Sequence, residues 1–96
     1  MVNIEQLHKI IERGEKLQRL MNNPDFKELI LEGYLDKYAN NLVHGLVTTR
    51  QPEMRKMLDD ELMGISAFNY YLQMSQGEYE RALDARDNVD SEEETE

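Results

Sequence analysis

The stretch Asn22-Asn23-Pro24-Asp25 marks where one helix ends and the next begins. Asn23 suits the position that caps a helix start, because its side chain can accept hydrogen bonds from the first free backbone N–H groups. Pro24 suits the first helical position, where an N–H is not needed, and Asp25 lies at the positive end of the helix dipole. The stretch therefore predicts a helix from residue 24 to about residue 47.

The residues before this break also have helical spacing. Gly14 interrupts the pattern at a cost of about 1 kcal/mol relative to alanine, so we expect either a close helix contact or a kink there. The apolar positions that form the stripe are Ile4, Leu7, Ile10, Ile11, Leu17, Leu20 and Met21. They predict a first helix over residues 4–21.

Pro52 opens a third predicted helix with apolar groups on two sides. One side carries Met54, Leu58, Leu62, Ile65, Asn69 and Leu72, and another carries Met57, Gly64, Phe68 and Tyr71. Because a helix with two apolar sides needs two partners, we expect another subunit to cover one of them. We expect Gly77 to end this helix and residues 78–86 to add a short extension.

These patterns predict an all-α fold, in which three main helices form a compact homo-oligomer. No useful length of sequence alternates with the period of a strand. Residues 1–86 are expected to be one helical oligomerising domain. Residues 87–96 are expected to be a disordered acidic tail, because Val89 is their only apolar residue.

Composition narrows the classes of function. The chain has 96 residues, no cysteine and a net charge of −9, and removing the six acids of residues 87–96 leaves the rest at −3. Such a body has no clustered Lys and Arg for duplex nucleic acid. No segment resembles a signal peptide or a membrane span, so we expect a soluble protein of the cytoplasm that does not associate with membranes.

Catalysis is poorly supported by the side chains. His8 lies at helical spacing from Glu5 and Glu12, and Asp59-Asp60-Glu61 is a short acidic run. Either group is a conceivable metal or proton site, but a solvated helix face explains both better. We expect no enzyme activity, no metal and no cofactor.

Lys27 is the most interesting cation, because it lies in the first turn of the second helix. Free backbone N–H groups and a lysine at a helix start can receive a phosphate. Arg13, Lys16 and Arg19 add cations on the first helix. The alternative is that all four are ordinary surface residues that balance acids.

Two segments resemble a family of small helical tailed-phage proteins, the anti-CBASS cyclic-oligonucleotide sponges. They read NNPDFKELILEGY over residues 22–34 and ELMGISAFNYYL over residues 61–72, and the likeness covers about residues 5–75. The resemblance implies a cytoplasmic homo-oligomer, typically a hexamer, in the infected bacterial host. It would bind cyclic di- and trinucleotides without cleaving them, which keeps the host's immune effector switched off.

The resemblance also implies two kinds of ligand contact. Lys27, beside Phe26, matches the phosphate-contacting lysine of the dinucleotide pocket. The family has a base-stacking aromatic on the first helix, where this sequence reads Ile10-Ile11-Glu12-Arg13, so His8 or Arg13 would supply the planar group next to Ile11. Phe68 and Leu72 fall in the trinucleotide region, in which the family's arginine is missing unless Arg50 or Arg55 replaces it.

Two other functions stay open at the level of sequence. The chain is alternatively a structural or assembly accessory of a tailed-phage head, which the methionine-rich third helix and the acidic tail would suit. A less favoured reading is an inhibitor that mimics nucleic acid through the charge of residues 87–96.

Overall fold

The computed structural model describes residues 3–94 as a succession of helices. In chain order these are α1 (Ile4–Met21), α2 (Pro24–Phe26), a π-helical segment (Lys27–Tyr38), α3 (Ala39–Thr48) and α4 (Pro52–Glu94). The middle three follow one another without a break, and we call residues 24–48 the second rod. No strand occurs within residues 3–94, so the predicted all-α class with three main helices is confirmed.

The predicted cap at Asn23 is confirmed. Its side-chain oxygen accepts hydrogen bonds from the backbone N–H groups of Asp25, at 2.9 Å, and Phe26, at 3.1 Å. Asn3 does the same for α1, since its side-chain oxygen accepts from Glu5 N at 3.0 Å. Capping asparagines therefore fix the starts of α1 and of the second rod.

The π-helical segment was not predicted, because apolar spacing does not distinguish it from an α-helix. Its wider turns bond each N–H to the carbonyl five residues earlier rather than four. Gly33 lies within it, and a Cβ at this position would be 3.1 Å from the carbonyl oxygen of Glu28. The missing side chain lets the backbone approach this oxygen at the point where the turn widens.

Helix α4 is longer than predicted. It passes through Gly77 and continues to Glu94, so the predicted end at Gly77 is wrong, and the predicted disordered tail differs from the helix found over residues 87–94. No glycine among residues 3–94 has the positive φ that commonly ends a helix, and Val89 is half-buried beyond the predicted boundary. Residues 95–96 of the predicted tail lie outside the described residues.

Two compact units divide the chain. The first joins α1 up to Leu20 to the part of α4 from Leu72 onward, and the second is Met21–Tyr71. The first unit has a buried cluster of Leu7, Ile11 and Ala82, against which Tyr79, Leu83 and Ala85 pack. This packing holds α1 along the C-terminal half of α4.

Gly14 lies at a close helix contact, which is one of the two roles predicted for it. The residue is buried, and an added Cβ would lie 2.1 Å from Cδ1 and 2.6 Å from Cβ of Tyr79. No alanine fits at these distances without movement of α1 or of the tyrosine. The glycine therefore sets how closely α1 approaches this part of α4.

The second unit pairs the second rod with the first five turns of α4. Leu42 and Ile65 are its buried apolar side chains, each 5% exposed. Arg55 of α4 donates from Nη1 to the carbonyl oxygens of Leu46, at 2.6 Å, and Thr49, at 3.3 Å. Because the last carbonyls of a helix lack partners within it, this contact closes the C-terminal end of the second rod.

Replacing Gly14 by alanine is expected to destabilise the protein by about 1–3 kcal/mol, because the new methyl group overlaps the base of the Tyr79 side chain. The matched control is Gly77→Ala, in the same unit. There the nearest atom is Nη1 of the flexible Arg81, at 3.2 Å, so the control is expected to stabilise by up to about 1 kcal/mol. Urea unfolding measures both, and equal shifts in the two variants would contradict the close contact.

Candidate functional site

The start of the second rod carries the lysine that the sequence singles out. The N–H groups of Asp25 and Phe26 are taken by the Asn23 side chain, and the Lys27 N–H donates to the Asn23 carbonyl oxygen at 3.0 Å. Pro24 has no N–H to offer. The chain itself therefore occupies the backbone N–H groups that the sequence would offer to a phosphate here.

The ammonium group of Lys27 is the remaining anion-binding group at this helix start. The residue is exposed, and among residues 3–94 no carboxylate lies within 4.0 Å of its nitrogen. Asp25, which the sequence places nearby, does not pair with it. Lys27 is therefore available to an anion from solution, as a point charge without help from backbone amides.

An aromatic cluster lies on the second unit. The rings of Tyr34 and Tyr38 stack with centroids 6.0 Å apart and planes 16° apart, and Phe68 meets Tyr34 edge-on at 6.2 Å. The Tyr38 hydroxyl donates to a carboxylate oxygen of Glu61 at 2.8 Å. This cluster joins the π-helical segment to α4 and leaves Tyr38 and Phe68 about two-fifths exposed.

The hydrogen bond to Glu61 is the main reason that the pKa of Tyr38 is raised above its ordinary value of 10.0. A carboxylate that accepts the phenolic proton stabilises the neutral phenol over the phenolate. Because the folded-state pKa is raised, the contribution of this contact to stability is complete below the ordinary pKa. It disappears as the pH rises through the raised value.

A long uncharged run distinguishes α4 from the rest of the chain. Residues 62–77 contain no Asp, Glu, Lys or Arg, although 32% of all residues are charged. Within the second unit, we call six exposed residues of this run the uncharged face: Met63, Gly64, Ala67, Phe68, Tyr70 and Tyr71. At about 100° per residue they cover about 160° of the helix, on the side opposite Leu58, Leu62 and Ile65.

Two shallow depressions adjoin the N-terminal part of α4. One of about 460 Å³ is lined by Glu53, Lys56, Met57, Asp60 and Glu61, and one of about 380 Å³ by Leu46, Arg55, Lys56 and Asp59. The first has three carboxylates against one ammonium group. A phosphate is repelled there, so this depression does not suit an anionic ligand.

The predicted contact residues fall into both units and differ in exposure. In the second unit Lys27 is exposed, Phe26 is half-buried and Phe68 is 37% exposed. In the first unit His8 and Arg13 are exposed, whereas Ile11 and Leu72 are only 6% and 7% exposed. Ile11 belongs to the buried cluster with Leu7 and Ala82, so it and Leu72 offer a ligand little surface.

Sequence reasoning missed the contact of Tyr34 and Tyr38 with Phe68. The spacing of four residues between the two tyrosines is a signal for stacking on one helix face. The spacing does not reveal that Phe68 of α4 closes the cluster, because that contact depends on how the second rod packs.

Metal binding and membrane crossing are two further possibilities for the described residues. Within residues 3–94 no three His, Asp or Glu side chains lie close enough to hold a metal ion, which includes the groups around His8 and Asp59. None of the described helices combines the length and the apolar content that crossing a membrane requires.

Comparison with known protein families, with curated proteins and with solved structures found no match to this chain.

Replacing Glu61 by alanine is expected to lower the pKa of Tyr38 toward its ordinary value, because the variant loses both the hydrogen-bond acceptor and the negative charge. NMR titration of the protein specifically labelled at tyrosine separates Tyr38 from the other tyrosines. An unchanged Tyr38 titration in the Glu61→Ala variant would show that the contact does not form in solution.

Proposed function

We propose that this chain is a non-catalytic binding protein that sequesters cyclic di- and trinucleotides. It acts as a homo-oligomer, on the family pattern a hexamer, in the cytoplasm of an infected bacterium. The ligand class comes from the resemblance of residues 22–34 and 61–72 to phage anti-CBASS sponges. The single observation that supports it best is the exposed Lys27, whose ammonium group is not claimed by any carboxylate of residues 3–94.

Lys27 would hold a phosphate of the ligand by a charge-assisted hydrogen bond. Such a bond is worth about 1.5–3 kcal/mol, or about 10- to 150-fold in the dissociation constant. The Asn23 cap keeps the first turn in place while occupying its amides. The cap is therefore a positioning device for Lys27 and not a part of the anion site.

Exposed aromatic rings supply the second requirement of a nucleotide ligand. Base stacking on an aromatic side chain is worth about 1–3 kcal/mol per base and tolerates different bases. Phe68 is exposed and held edge-on by Tyr34, so its ring has a fixed orientation. The buried Leu72 is a weaker candidate for contact than Phe68, although its role stays a prediction.

Titration calorimetry with a panel of cyclic di- and trinucleotides tests this function. We expect Lys27→Ala to weaken cyclic dinucleotide binding by about 10- to 150-fold, because a phosphate contact is lost. Lys37→Ala is the matched control, since Lys37 is an exposed lysine of the same π-helical segment and should bind as the unaltered chain does.

Two results would overturn the proposal. One is the absence of heat and of any thermal shift across the panel, and the other is recovery of hydrolysed ligand after binding. Equal affinities for the Lys27 and Lys37 variants would remove Lys27 from the site and with it the observation that supports the proposal best.

A structural or assembly accessory of a tailed-phage head is the second candidate. The uncharged face of α4 favours it, because exposed methionine and tyrosine side chains suit a protein–protein interface. Purified virions that contain the chain at a fixed copy number would support this function. Virions that lack it would leave the sequestering function as the better account.

A further inference from the structure

Glycines inside helices weaken them relative to alanine, so each one calls for a compensating contact. Gly14 is explained by Tyr79, and a Cβ at Gly45 would meet Cδ1 of Leu58 at 3.0 Å. Gly64 differs from both, because a Cβ there would meet no atom within 4 Å. Nothing within the described chain explains a glycine at this exposed position in the middle of α4.

Large side chains around Gly64 are also exposed to solvent. Met63 and Tyr70 are each 65% exposed, and Tyr71 is 48% exposed. They belong to the uncharged face, which extends over about two and a half turns of α4. A glycine between large exposed side chains creates a shallow notch, into which a helix from outside the chain can pack closely.

We propose that a second copy of this chain occupies the uncharged face, with its own α4 crossing over Gly64. This inference rests on the proposed function only in that both require a homo-oligomer. A two-fold arrangement fits, because a single patch then contacts its own equivalent and Gly64 lies close to the axis.

Charge favours a second copy at this position. The chain carries a net charge of −9, so two copies repel each other over most of their surfaces. Pairing through residues 63–71 brings no charged side chain of the face against its equivalent. Glu61, one turn before Gly64, has its carboxylate engaged by the Tyr38 hydroxyl.

The area also fits an interface of ordinary size. The exposed parts of Met63, Tyr70 and Tyr71 together amount to about 300–400 Å² of mostly apolar surface, given 150–250 Å² for a whole aromatic side chain. Phe68 lies at the edge of the face and is left to the proposed ligand. A standard interface buries about 800 Å² on each partner, of which about 57–65% is apolar. The face therefore supplies most of the apolar area that one such interface requires, and neighbouring residues supply the rest.

Sedimentation equilibrium of the full chain, without added nucleotide, tests the inference. We expect an even number of copies, and we expect Met63→Glu to weaken association at least tenfold by placing like charges across the interface. Leu29→Glu is the matched control, because Leu29 is a 68% exposed helical residue outside the face, and it should associate as the unaltered chain does.

Gly64→Gln provides a second and independent variant. Glutamine meets open space in the single chain and favours the helix more than glycine does, so the helicity of the separated chain should be kept or raised. Association should nevertheless weaken at least tenfold, because the side chain fills the notch. Circular dichroism at low concentration measures the first quantity and sedimentation the second.

A chain that stays monomeric at about 100 µM, a concentration at which even weak complexes form, would overturn the inference. The face would then belong to another partner. So would equal association by the Met63→Glu and Leu29→Glu variants. Either result is distinct from failure of the proposed function, because nucleotide binding is measured by heat. An oligomer that releases no heat would leave this interface standing and remove the ligand.

Discussion

Burial of apolar side chains is the constraint on which the rest of the structure depends, because few of them reach the interior. Among the described residues, six hydrophobic side chains are 7% exposed or less: Leu7, Ile11, Leu42, Ile65, Leu72 and Ala82. Small domains without disulfides or metals have little stability to spare, and many of them gain it by association. Contacts that α4 makes outside the chain would therefore contribute to folding as well as to function.

The contacts that hold the second unit also arrange its surface. Tyr38 stacks on Tyr34 and engages the Glu61 carboxylate, while Phe68 is held edge-on against Tyr34. These interactions fix one edge of the uncharged face and turn its nearest carboxylate toward the second rod. The same side chains thus serve the packing of the unit and the chemistry of a surface that suits a partner.

The helix starts could be predicted because they depend on local chemistry. Asn23 and Pro24 act within their own turn, and the first helix begins and ends where its apolar spacing indicates. The helix end predicted at Gly77 is wrong, because a glycine that ends a helix commonly has a left-handed backbone conformation. The backbone at Gly77 does not have this conformation. The π-helical segment could not be predicted, since its apolar pattern is compatible with either type of helix.

The candidate site was predictable in part for the same reason. The position of Lys27 at the helix start follows from the sequence. The sequence does not show which backbone N–H groups near Lys27 donate to the Asn23 side chain. Ile11 and Leu72 were predicted to contact ligand, but their burial depends on tertiary packing that helical spacing does not determine. The significance of Gly64 likewise became visible only when its surroundings were found to be empty.

Native mass spectrometry of the protein purified from infected cells tests the central claim most directly, because it reports the number of copies and any retained ligand together. The account predicts an even-numbered homo-oligomer that releases intact cyclic oligonucleotide when the assembly is dissociated. A single chain of 11.3 kDa with no nucleotide bound would contradict it.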